Sequence, residues 1–335
     1  MNHKINDPAP KVLGIGNALV DIMIALPGDY LLNQLGLPRG SMTLVDKTRS
    51  AEIFAATKPF QKTVTNGGSA ANTIHVLSGL GQPCGYAGKI GKDELGTLFA
   101  GEFTIKGIQV HLPEAESDTG RVMAMVSPDS ERTMATYLGA AAELTPSDFP
   151  PELFSQYGLV YVEGYLVQDH DLIETIVKTA HTLGKEVAVD LSSYNIVEQN
   201  LEFLTGIIRD YVNIVFANEE EALAFTAQNP ASAVRTLTEL CDLAIVKTGS
   251  SGSLVGTRNE TIQVDPVPAR AVDTTGAGDS YAAGFLYGYL KGLPLGKCGD
   301  IASLISSRMV ETMGAKLSES QWSEIIGLVR RIEQR

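Results

Sequence analysis

Leu159-Val160-Tyr161-Val162, Glu186-Val187-Ala188-Val189-Asp190, Asn213-Ile214-Val215-Phe216 and Leu243-Ala244-Ile245-Val246-Lys247 are four short runs, apolar almost throughout. Patterns of helical period separate them, at 170–183, at 198–209, from Glu219 onward and at 230–240. A strand that is apolar on both faces needs cover on both faces. The βαβ crossover supplies it, so the stretch from Leu159 to Lys247 predicts an α/β fold around a mainly parallel sheet. Lys11 to Gly16 has the same character and reads as the first strand, while residues 83–112 read strand, helix, strand.

Open α/β sheets bind ligands beyond the carboxyl ends of their strands. Asn17 and Asp21 follow the first strand, and they read either as ligands for sugar hydroxyls or as a turn Asn and a surface Asp. Gly14-Ile15-Gly16 does not complete a dinucleotide fingerprint, because Leu19 stands where the third glycine belongs. The Gly-Lys pairs at 88–89 and 296–297 lack Walker A spacing, which excludes P-loop chemistry.

Two glycine turns run into helical patterns. Asn66-Gly67-Gly68-Ser69-Ala70-Ala71-Asn72-Thr73 precedes apolar residues at helical spacing, with Ser69 a fitting N-cap and Asn72 able to bind a diol. Val272-Asp273-Thr274-Thr275-Gly276-Ala277-Gly278-Asp279 leads into a second helix. The N-terminus of a helix carries unpaired N–H groups and partial positive charge, so this turn reads as an anion cradle. Asp279, in the first helical turn, is expected to stay ionised and to accept a proton from a substrate hydroxyl; otherwise it is an ordinary helix-start carboxylate.

Asn218 and Glu221 lie three residues apart at the start of a helix, which suits either a capping box or a pair ordering magnesium. Thr248-Gly249-Ser250-Ser251-Gly252 reads as a nucleotide-lining backbone or as a hairpin turn into Leu254-Val255. Strand-like runs at Val122–Val126 and Thr133–Tyr137 flank Ser127-Pro128-Asp129-Ser130, a hairpin pattern. Residues 18–45 and 112–140 are expected to form a small β lid over the sheet, within one domain spanning 1–335. Residues 294–314 and 318–332 read as closing helices.

The chain has 335 residues, 44% of them hydrophobic, enough for a substantial core. A net charge of −13 argues against nucleic-acid or anionic-membrane partners. Cys84, Cys241 and Cys298 lack zinc spacing and read as core residues of a reducing compartment. With no signal-peptide pattern and no spanning run, a cytoplasmic location is expected.

Three motifs in order, at 66–72, 218–221 and 273–279, resemble the ribokinase-like (PfkB) family of small-molecule kinases over nearly the whole chain. The resemblance implies a three-layer α/β/α sandwich with a mainly parallel sheet and a small β-sheet lid. Gly16-Asn17-Ala18-Leu19-Val20-Asp21 is similar to the opening of adenosine kinases and their bacterial relatives, and Tyr165 falls where those have a purine-stacking aromatic. Ala70-Ala71 is closer to the sugar-kinase form.

Carried over, the resemblance makes Asp279 the base, with the N–H groups of Gly276, Ala277 and Gly278 as the anion hole and Arg132 near the phosphates. Asn17, Asp21, Gly67, Gly68, Asn72 and Tyr165 would hold the acceptor. Asn218, Thr248, Gly249, Gly252 and Gly278 would line the ATP site. Asn218 and Glu221 would order Mg2+ through water, and Asp273 and Thr275 would lie near a potassium ion. The expected activity is ATP-dependent phosphorylation of a primary hydroxyl on a ribonucleoside, adenosine foremost. A PfkB-type kinase of ribose or fructose and a non-catalytic ligand sensor are the alternatives, on a monomer or homodimer.

Overall fold

A computed structural model describes residues 10–129 and 131–335. Its larger sheet has nine strands, in the order Thr261–Val264, Ser253–Gly256, Leu243–Lys247, Ile214–Asn218, Glu186–Asp190, Leu159–Glu163, Val12–Ile15, Cys84–Ala87, Gln109–His111. The seven strands from Leu243–Lys247 to Gln109–His111 are parallel. Ser253–Gly256 and Thr261–Val264 close the far edge antiparallel. The turn at 248–252 is therefore the hairpin that its sequence allowed.

Each central strand feeds two cores. Leu159 and Tyr161 pack on one face with Phe285, Ile305 and Ile325, from the helices Ala277–Leu290, Leu295–Val310 and Glu319–Gln334. Val160 and Val162 pack on the other with Ile176, Ile208 and Val234, from His170–Thr182, Leu201–Tyr211 and Pro230–Leu240. Burial on both faces explains the unbroken apolar runs, and the result is a three-layer α/β/α sandwich.

The smaller sheet has the order Met42–Leu44, Arg132–Tyr137, Gly120–Val126, Leu19–Ala25, Lys62–Gly67. Its fifth strand, Lys62–Gly67, lies outside the two segments read as a lid, because Lys62-Thr63-Val64-Thr65-Asn66-Gly67 has only one apolar side chain. The segment 18–45, expected to belong to the β lid, also contains the short helix Tyr30–Gln34. Residues 198–209, read as one helix, fall in two, Tyr194–Gln199 and Leu201–Tyr211. Ser130, part of the hairpin reading, lies outside the described residues, as do residues 1–9. No helix among the described residues is long and apolar enough to cross a membrane.

The chain leaves strand Val12–Ile15 for Cys84–Ala87 on one side, whereas Leu159–Glu163 and its successors build the other. The order thus reverses between Val12–Ile15 and Leu159–Glu163, and a crevice opens beyond their carboxyl ends at such a reversal. Asn17 and Glu163 meet there.

Candidate active site

Two helices point their N-termini into this crevice, Ser69–Gly79 and Ala277–Leu290, and each begins at a left-handed glycine. Gly68 has φ +92° and Gly276 has φ +71°, conformations open to glycine at little cost. Gly68 thus holds the cap position expected of Ser69, whose hydroxyl instead donates to Asp279 Oδ1 at 2.7 Å. Asn72 Nδ2 donates to Asp279 Oδ2 at 2.9 Å. Asp279 makes no capping bond of its own, so it is not an ordinary helix-start carboxylate.

Burial pushes the Asp279 pKa up to about 6, against the Asn72 and Ser69 hydrogen bonds, with Asp190 raising it further and Lys247 lowering it. Desolvation thus outweighs the hydrogen bonds and the lysine charge that favour the carboxylate. The group is still ionised at neutral pH, yet close enough to its pKa to take a proton.

The N–H of Ala277 donates to Thr274 O at 3.2 Å. Within the turn, the N–H groups of Gly276, Gly278 and Asp279 meet no protein acceptor among the described residues and are the donors left for an anion.

Glu163, a residue given no role from the sequence, organises the acceptor side. It is fully enclosed, and its Oε1 accepts from the N–H and Nδ2 of Asn17 at 2.8 and 2.6 Å, while Oε2 accepts from Ala70 N–H at 3.0 Å. Burial raises its pKa to about 7 despite these bonds. A side chain at Gly16 would overlap it. Asp21 contrasts with Glu163: among the described residues no protein donor reaches its carboxylate, and burial raises its pKa to about 7 against the opposing charges of Lys316 and Arg132. Gly67 backs it, since any Cβ there would overlap the Asp21 carboxylate.

A second unforeseen pair lies at the other end. Lys247, the last residue of its strand, donates to Asp190 Oδ2 at 2.9 Å. The signal was there in part: a lysine closing the run Leu243-Ala244-Ile245-Val246 is out of place in a buried strand. Beside it, Asn218 and Glu221 form a complete capping box. Both Glu221 oxygens accept from Asn218, at 2.8 Å each, and burial raises the Glu221 pKa to about 7.

A single cleft of about 1860 Å³ joins these groups. Asn17, Asp21, Gly68, Asn72, Tyr165, Asn218, Glu221, Gly249, Gly252, Thr275 and the residues Gly276–Asp279 line it. Of the residues expected at the site, Gly67, Thr248, Arg132 and Asp273 are not on its wall. Arg132 reaches from the smaller sheet to Asp273 and Thr275 instead, and Asp273 Oδ2 also accepts from Gly314 N–H at 2.5 Å. The residues connected with a potassium ion are thus engaged by a guanidinium.

Against protein families, residues 42–322 match the model described as pfkB family carbohydrate kinase. The chain belongs to the PfkB family. PfkB kinases are phosphotransferases acting on hydroxyl groups with ATP and a divalent metal, and this chain is one of them. Adenosine kinase from Sinorhizobium meliloti superposes with a TM-score of 0.86 at 34% identity, covering 96% of this chain and 100% of that one. A probable sugar kinase from Rhizobium etli superposes with a TM-score of 0.86 at 31% identity, over 96% and 98%. A nucleoside kinase from Methanothermobacter thermautotrophicus is 29% identical over 78% of this chain and 83% of its own length.

Proposed function

We propose that the chain transfers the γ-phosphoryl group of ATP to the primary hydroxyl of a ribonucleoside, adenosine above all. The observation that carries this reading is an apolar compartment on the acceptor side. Leu19, Val122 and Met134 of the smaller sheet form a cluster with Leu138 and Ala141 of the turn that follows Arg132–Tyr137, separate from both cores. All five line the cleft, together with Tyr165 and Leu166. A free sugar, ringed by hydroxyls, would bury less apolar surface against such a wall than a nucleoside base does. A nucleoside presents a flat base to it while its ribose diol meets the unpartnered Asp21 and the Asn17 amide oxygen. The similarity to nucleoside and adenosine kinases supports the same choice.

The chemistry follows from the placement of charge. The acceptor oxygen attacks the γ-phosphorus in line, the bond from that phosphorus to the β–γ bridging oxygen breaks with its electron pair leaving on ADP, and the hydroxyl proton goes to Asp279. The free N–H groups of Gly276, Gly278 and Asp279 face the migrating phosphoryl and stabilise its charge. Both Glu221 oxygens are taken, so Asn218 and Glu221 would hold Mg2+ through water; the ion supplies charge neutralisation at the phosphates. Gly249 and Gly252 would lie along the nucleotide.

An ATP-consumption assay across a panel of nucleosides and sugars tests the assignment. Turnover highest with adenosine is expected. Turnover confined to sugars contradicts the nucleoside reading, and none with any acceptor contradicts catalysis altogether.

A further inference from the structure

Lys247 is enclosed in the cleft wall, with its side chain 13% exposed and that of Asp190 5%. Its ammonium carries three donors, and one of them, to Asp190, is used. Burial opposes the charge, but Asp190, Glu221 and Asp279 together hold the Lys247 pKa above its ordinary value. The strand register puts Lys247 directly beside Asn218 at the carboxyl edge of the sheet. On the other side, a Cβ built on Gly278 would sit 3.2 Å from Lys247 Nζ. The ammonium therefore lies against the helix N-terminus where the N–H groups of Gly278 and Asp279 are unpaired. A buried cation with free donors, adjoining a cradle built for an anion, is arranged for a phosphate oxygen.

We propose that Lys247 is a catalytic residue of the phosphoryl transfer, its ammonium contacting the migrating phosphoryl group, with Asp190 as the positioning residue that holds it beside Gly278. The assignment rests on the reading of Gly276–Asp279 as the phosphoryl cradle. With nucleotide bound, the two unused N–H donors turn to phosphate oxygens while the third remains on Asp190. Gly278 favours this, since a Cβ there would crowd the ammonium at 3.2 Å.

The alternative is that Lys247 merely neutralises Asp190. Removing one partner of a buried pair leaves an uncompensated charge, whereas removing both does not. The test is steady-state kinetics of Lys247→Met, Asp279→Asn and the double variant Asp190→Asn/Lys247→Met, with adenosine affinity measured by calorimetry. Lys247→Met is expected to lower kcat by roughly 10²–10³, the scale for losing one preorganised stabilising group, with the adenosine Kd changed less than threefold. The double variant is expected to fold and to stay equally impaired. Recovery of the double variant to within tenfold of wild type overturns the proposal, as does near-normal turnover of Lys247→Met while Asp279→Asn is inactive. Near-normal turnover of Asp279→Asn overturns the reading of Asp279 as the base, on which the site assignment is built. If Lys247→Met does not fold, the double variant, in which Asp190 is no longer left as a buried charge without its partner, carries the decision.

Discussion

The hydroxyl of Ser69 donates to Asp279 across 210 residues of sequence, at 2.7 Å, and so ties the first glycine turn to the second. That bond favours the ionised carboxylate, which burial would otherwise protonate. Ser69→Ala removes a donor from the charged form. The Asp279 pKa then moves above its value of about 6, and the acidic limb of the kcat/KM profile moves up in pH with it. A pH–rate profile measured from pH 5 to 8 checks this; an unmoved acidic limb excludes Asp279 as the group that must be ionised.

The two glycines of the turn have opposite requirements. Gly276 sits at φ +71°, and a Cβ there would lie 2.6 Å from Ala315 Cβ. Gly276→Ala should therefore cost about 1–2 kcal/mol or more in stability, from the left-handed backbone plus the contact. Gly278 lies inside the helix with negative φ, where alanine is favoured over glycine by about 0.5–1 kcal/mol. Gly278→Ala should hold or raise the melting temperature while lowering kcat, because the methyl group enters the space between cradle and Lys247. Thermal melts and kinetics of the two variants separate these effects.

Arg132 joins the smaller sheet to the turn through Asp273 and Thr275. Arg132→Met removes that tie and leaves the buried Asp273 carboxylate without its cation, so the melting temperature should fall although neither main core is touched. Turnover should fall by roughly 10–10³, and ATP hydrolysis without acceptor should rise relative to transfer, because the cleft closes less tightly against water. Measuring the ratio of ADP formed to acceptor phosphorylated checks this, and an unchanged ratio contradicts a closing role for the sheet.

Much of this was legible in the sequence because backbone chemistry is local. Strands buried on both faces write continuous apolar runs, and left-handed helix starts demand glycine, so the sheet, the two turns and Asp279 could all be placed before any coordinates. What escaped depends on distance across the fold. Glu163 follows the apolar run Leu159–Val162 with no local sign of a role, and only the fold brings it to Asn17 and Ala70, 146 and 93 positions away. Asp190 and Lys247 each closed an apolar run, and nothing local says that they pair. The strand Lys62–Gly67 was missed because its burial comes mostly at Asn66 and Gly67, residues that no apolar pattern records. Asn218 and Glu221 show the reverse: the capping box and the water-mediated metal reading share one spacing, and only the hydrogen bonds show that the box is formed.

Asp279, as the base, takes the acceptor's proton within a cradle that binds the phosphoryl group. Turnover of Asp279→Asn with ATP and adenosine, measured alongside ATP binding and thermal unfolding, tests it most directly. The expected result is folded protein that binds ATP and has lost roughly 10²–10⁴ in kcat, the contribution of a positioned general base. Turnover within tenfold of wild type would contradict it.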